Sequence, residues 1–179
     1  RSALSGDSDI DETIFNSAKF SKELFSLLNS AKTKPKSILE KVKSFTIPKG
    51  SHATEENRQE VIDFIESLSD NHKGKSYLWN EKVYSALRPV YQMKANGEIK
   101  ESINVQEIIE NQSVKAVIDS HFEVSGRLDK EQKLLCLLLE HSKHINKILL
   151  DSSTISTICS VQSKNKMRIT TCLVLIKKK

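Results

Sequence analysis

Several things are scarce in this chain, and each scarcity removes a class of answer. The longest apolar run falls far short of the ~18 to 20 residues of a membrane span, and no charged-then-apolar leader follows Arg1. No membrane partner is therefore expected. The three cysteines, Cys136, Cys159 and Cys172, are odd in number and sit in unrelated contexts, which is not how a disulfide framework looks. They favour a reducing compartment, so an intracellular, cytoplasmic or nuclear location is expected. The five glycines are spread one per turn, at 6, 50, 74, 97 and 126, leaving no glycine-rich loop to cradle a phosphate. Arginine is thin as well: Arg1, Arg58, Arg88, Arg127 and Arg168 stand among 28 basic residues, and lysine is the poorer residue for bidentate recognition of phosphate or guanine. Repeats and low-complexity tracts are absent, apart from a Ser/Asp-rich start over 1–8 that reads as a flexible segment.

What is present is helical punctuation. Residues 129–150 read as one long buried helix: Asp129 offers an N-cap oxygen, Gln132 completes a capping box, and five of the six residues from Leu134 to Leu139 are leucine. A segment greasy on every side is packed from several directions. Before it, Asp9 and Glu12 signal a helix reaching about Ala31, and Pro35 suits the first turn of a shorter one. Thr54 opens a third helix with Val61, Ile62 and Ile65 in a stripe, and Ser76 a fourth that Pro89 ends or kinks. Asn104 and Ser113 are read as opening two short helices, the second carrying Val114, Val117, Ile118 and Phe122. After Leu150 the composition turns to Thr, Ile, Val and Ser, predicting a hairpin of Thr154 to Val161 and Met167 to Ile176.

The fold class expected is mainly α, α+β in a strict count: a multi-helix bundle around the central helix at 129–150 with a small C-terminal hairpin. The domain layout expected is a helical domain over 9–151 and the hairpin over 152–179 packed on it, within a fragment of a longer protein. A two-stranded hairpin is marginal alone, so Phe45 to Ile47 should supply a third strand, or else the last strand is an apolar edge seeking a partner.

Chemistry is harder to find. Asp119-Ser120-His121 contains triad residue types, but on the helix expected there adjacent side chains diverge by ~100°. Asp7, Asp9 and Asp11 imitate a calcium loop, yet Glu12 stands where glycine is needed. Cys136, His141 and His144 lack the fourth ligand and paired spacings of a structural zinc. No cofactor and no catalytic residues are assigned. Leu24-x-x-Leu27-Leu28 and its counterpart at 134–138 match a groove-binding leucine pattern, though a buried helix stripe explains both.

Two kinds of surface remain. The aromatic segment with Tyr77, Trp79, Tyr84, Arg88 and Tyr91, together with Leu173 and Leu175 of the last strand, is the expected protein-binding set. The expected function is a non-catalytic scaffold or regulatory interaction module of a larger intracellular protein, binding another protein or self-associating through the C-terminal strand. The alternative is a nucleic-acid-binding domain using Lys32, Lys34, Lys36, Lys41, Lys43, Lys164, Lys166 and Arg168 in the lysine-rich segments 32–49 and 164–179. A third is an enzyme or pseudo-enzyme whose site converges from distant positions.

Overall fold

The computed structural model describes residues 15–127, 129–150 and 155–177. The start over 1–8 expected to be flexible, the Asp9–Glu12 helix signal and the aspartates of the rejected calcium loop lie outside the described residues. Helix α1, Ser17–Thr33, starts at Asn16, whose side chain accepts the Lys19 N–H at 2.9 Å. A 3-10 turn with proline at its first position, Pro35–Ile38, leads into α2, Leu39–Ser44. The Thr54/Asn57 capping box starts α3, Glu55–Ser67. There follow β1 (Leu78–Trp79), α4 (Glu81–Ala95), α5 (Val105–Asn111), β2 (Ile118–Gly126) and α6 (Lys130–Glu140). A 3-10 turn at Ser142–His144, then α7 (Ile145–Leu150), β3 (Ile155–Gln162) and β4 (Ile169–Ile176), complete the described elements.

The fold is α+β, with a four-stranded mixed sheet in the order β1-β3-β4-β2. β1 runs parallel to β3, while β4 is antiparallel to both β3 and β2. Alternation along β3 and β4 feeds two cores. Ile158, Leu173 and Leu175 join Phe122, Val124 and the helices α1, α3, α6 and α7 on one face. Cys159, Val161, Cys172, Val174 and Ile176 join α4 and α5 on the other. Strands buried on both faces read as continuous apolar runs, as Cys172 to Ile176 of β4 does, while β3 buries Ser156, Thr157 and Ser160 among its apolar residues. The chain crosses from β1 to β2 through α4 and α5 on one face, and returns from β2 to β3 through α6 and α7 on the opposite face. Reversing direction and face together gives both crossovers the same hand, as the handedness rule for parallel strands requires.

Five expectations change here. First, residues 118–126 are a strand, not a helix. Ser113 turns to φ 59° and closes α5, and the apolar positions Phe122 and Val124 then alternate with His121, Glu123 and Ser125. Val114, Ile118 and Phe122 satisfy a four-residue spacing by coincidence, which is what misled the periodicity argument. Second, this strand, and not Phe45 to Ile47, is the hairpin's third partner. Third, β4 is consequently interior: Leu173 and Leu175 are fully buried, so the C-terminal strand offers no edge for self-association. Fourth, the 129–150 rod breaks at His141, where the polar pair His141 and Ser142 takes partners on different elements. His141 Nε2 lies 2.8 Å from the Glu123 carbonyl, while the Ser142 hydroxyl accepts from Asn57 at 3.0 Å and donates to Glu60 at 3.2 Å. Fifth, Tyr77 lies outside any helix, Leu78–Trp79 form a strand, and the helix after them starts at the Asn80 cap and runs through Pro89. Ser85, whose carbonyl loses its partner to the proline, is exposed and open to water.

The edge of β3 beyond the short β1 is covered in a specific way. Ser21 Oγ accepts the Ser160 N–H at 2.9 Å and Ser17 Oγ donates to the Ser160 carbonyl, so α1 closes that side of the sheet. Among the described residues, the opposite edge, β2, has no strand beyond it.

Candidate functional site

That open edge is where backbone chemistry is left over. Ser163 N–H donates to the Arg168 carbonyl, which sets the hairpin's phase so that the Cys172 backbone groups face β3. Glu123, opposite Cys172, therefore turns its own N–H and C=O away from β4, as do His121 and Ser125 on either side of it. Among the described residues, the Glu123 carbonyl alone of these six groups has a partner, the His141 ring. Phe122 packs against His141 and His144, with centroids at 5.2 and 5.5 Å, so the ridge after α6 shields one end of the edge on that face.

On the other face of β2 lies the most organised polar cluster. Tyr91, fully buried on α4, donates its hydroxyl to Glu123 Oε2 at 2.6 Å, and Lys94 Nζ donates to Oε1 at 2.9 Å. His121 Nε2 stands 3.9 Å from the same carboxylate. Burial pushes the Glu123 pKa up, but the Tyr91 and Lys94 hydrogen bonds and the Lys94 charge outweigh it and hold the group below the usual carboxylate range. Burial, with Cys172 and Glu123 nearby, raises the Tyr91 phenol far above its ordinary value. A carboxylate held ionised with both oxygens engaged is a poor general base, and a phenol this reluctant to ionise is a poor acid. The cluster satisfies a buried tyrosine and pins β2 to α4.

The Asp119-Ser120-His121 run does not converge on the strand either. Ser120 donates its hydroxyl to Asp119 Oδ2 at 3.1 Å, but His121 alternates to the other face of the sheet, and Asp119 at the register shift pairs with Lys147 at 3.0 Å, whose hydrogen bond lowers its pKa. Cys136 is sealed in the core, His141 is committed to Glu123, and among the described residues no group of three or more His, Cys, Asp or Glu is placed to hold a metal ion.

The expected protein-binding residues do not form one surface. Tyr77 belongs to the first core and donates its hydroxyl to the Ile148 carbonyl at 2.7 Å. Tyr84 and Tyr91 belong to the second, Tyr84 sharing a 2.7 Å hydrogen bond with Ser17. Trp79 is half-buried between Phe25 and Tyr84, at 5.1 and 5.4 Å, with its N–H on Glu81. Arg88 is exposed on α4, whereas Leu78, at 66 %, is the apolar residue that projects from β1.

The basic set divides in two. Lys32 is buried with its ammonium 3.5 Å from the Tyr77 ring centroid, Lys36 pairs with Asp70, Lys41 with Glu131 at 3.0 Å, and Lys43 with Glu40 and Glu66. The first lysine-rich segment is thus largely neutralised, by Glu40 of α2 itself, Glu66 of α3, Asp70 after α3 and Glu131 of α6, and Lys34 is left exposed. Lys164 and Lys166 are exposed on the hairpin turn, and Arg168 reaches back to Ser125 Oγ at 3.1 and 3.2 Å.

Sequence reasoning missed Lys133, which is fully buried behind that turn and donates to the Ile169 carbonyl. The signal was available: Lys133 stands four residues before Leu137, on the apolar face of α6. Among the described residues, no helix is long and apolar enough to cross a membrane. Comparison of the chain with protein-family models, curated proteins and solved structures finds no match.

Proposed function

We propose that this chain is a non-catalytic interaction module of a larger intracellular protein, and that it takes a partner by strand addition along β2. The observation that supports the reading is the row of outward backbone groups at His121, Glu123 and Ser125, occupied at one position. An extended segment laid there gains main-chain hydrogen bonds, while alternate side chains meet Phe122 and Val124 on one face and His121 and Glu123 on the other. Natural proteins blunt exposed edges with charge and with overlying elements, and His121, Glu123 and the His141 ring do so here in part. The partner is a protein in extended conformation, in place of the C-terminal-strand contact that the interior position of β4 rules out.

Hydrogen exchange tests the premise and a substitution tests the use. In the isolated chain, the outward amides of His121, Glu123 and Ser125 exchange much faster than the inward amides of Ser120, Phe122 and Val124. His121→Pro removes one outward donor without touching the β2–β4 ladder, and it abolishes capture of the parent protein's partners while Leu78→Ser does not. Equal protection of both amide sets, or partners retained by a folded His121→Pro chain, rejects strand addition.

A further inference from the structure

Where β2 ends and the hairpin turns, three basic residues line one small space. A cleft of about 260 Å³ lies between the segment 48–51, the end of β2 and the hairpin turn, and Lys49, Arg127 and Arg168 all line it. None of the three has a carboxylate within ion-pair distance among the described residues, unlike Lys36, Lys41 and Lys43 of the lysine-rich run. Arg168 is held in place by Ser125 Oγ, with both bonds made by Nε and one terminal nitrogen. Gly50, at φ 90°, contributes bare backbone to the wall, and a Cβ added there would meet nothing within 4 Å. Ser51 donates its hydroxyl to Glu140 at 2.7 Å, so the acid at this end is already engaged. The buried ammonium of Lys133 donates to the carbonyl of Ile169, the residue after Arg168. The cleft also lies beyond the carboxyl end of β2, one of the parallel strands, where sheets joined by crossovers on both faces usually place their ligands.

We infer that this cleft binds a small phosphomonoester dianion, with Lys49, Arg127 and Arg168 as its charge partners. Guanidinium groups match phosphate oxygens in a fork, and three cations suit a doubly charged group better than a single carboxylate. The volume is below the ~300 to 1,000 Å³ of sites for drug-sized ligands, which limits the ligand to a phosphate with a small organic remainder. The inference does not depend on strand addition at β2.

The test is a titration of the ¹⁵N-labelled full chain with inorganic phosphate and with glycerol phosphate, at constant ionic strength. Saturable amide shifts confined to Gly50, Ser51, Ser125, Gly126 and Arg127 are expected, with glycerol phosphate binding at least as tightly as inorganic phosphate. Arg168→Ala and Arg127→Ala each weaken binding roughly tenfold, the equivalent of one charge-assisted hydrogen bond. Lys34→Ala leaves it unchanged. Non-saturating shifts, shifts spread over the exposed lysines, or indifference to both arginine substitutions would overturn the inference. So would a single-stranded DNA oligonucleotide that binds more tightly than either phosphate, shifts Lys164 and Lys166, and is lost steeply with salt, since that marks an open polyanion surface.

Discussion

Lys133→Met should make this protein more stable at neutral pH, and by a large increment for one surface-neutral change. The Lys133 side chain is fully buried, and its ammonium has one recorded acceptor, the Ile169 carbonyl. Burial brings its pKa down to about 8 from 10.5; Cys136 and Glu140 on its own helix favour the charged form, and Arg168 opposite disfavours it. At ~1.4 kcal/mol per unit, charging this lysine in the folded state costs about 3 kcal/mol relative to the unfolded chain at pH 7. Methionine fills a similar volume without an ionisable group, so a gain of roughly 2 to 3 kcal/mol is expected after allowing for the lost Ile169 hydrogen bond. Between pH 8 and 10.5 the unfolded wild-type chain keeps a proton that the folded one has released. Wild-type stability therefore rises relative to the variant through that window, and the advantage of methionine shrinks. Urea unfolding of both chains at several pH values measures this, with equal m-values as the check on a shared native state. A variant less stable than wild type at pH 7, or a difference that does not narrow above pH 8, refutes the burial argument.

Two further outcomes follow from individual contacts. Tyr91→Phe removes a donor to Glu123 and should cost about 1 to 2 kcal/mol, read as a lower urea midpoint. Because the folded-state Glu123 pKa is lowered, the stability it contributes is present above the ordinary glutamate range and lost as pH falls through the folded value; in the variant that loss begins at higher pH. Gly74→Ala drives a Cβ into the Lys32 carbonyl at the end of α1, where the Gly74 N–H also bonds Thr33 at 3.3 Å. Backbone must shift there, so a loss of about 1 to 3 kcal/mol is expected in the same assay, and a change under ~0.5 kcal/mol would contradict the packing described.

Helix starts and turns were legible in the sequence because they are local. The Asn104, Thr54 and Asp129 caps, the Pro35 first turn, the leucine burial of α6 and the C-terminal hairpin all depend on residues within a few positions of one another. The identity of 118–126 was not local. Its apolar residues fit both a four-residue and a two-residue spacing, and the choice fell to β4, whose second edge needed a partner. The break at His141 likewise goes with distant partners, the Glu123 carbonyl on β2 and, on α3, Asn57 and Glu60 around Ser142. Charge followed the same division: composition showed two basic segments, but only packing decided that the first would be paired with acids while Lys49, Arg127 and Arg168 would be left together. Caps and periodicity are set by neighbours along the chain, whereas strand pairing and ion pairing are set by neighbours in space, and those exist only once both cores have closed on the sheet.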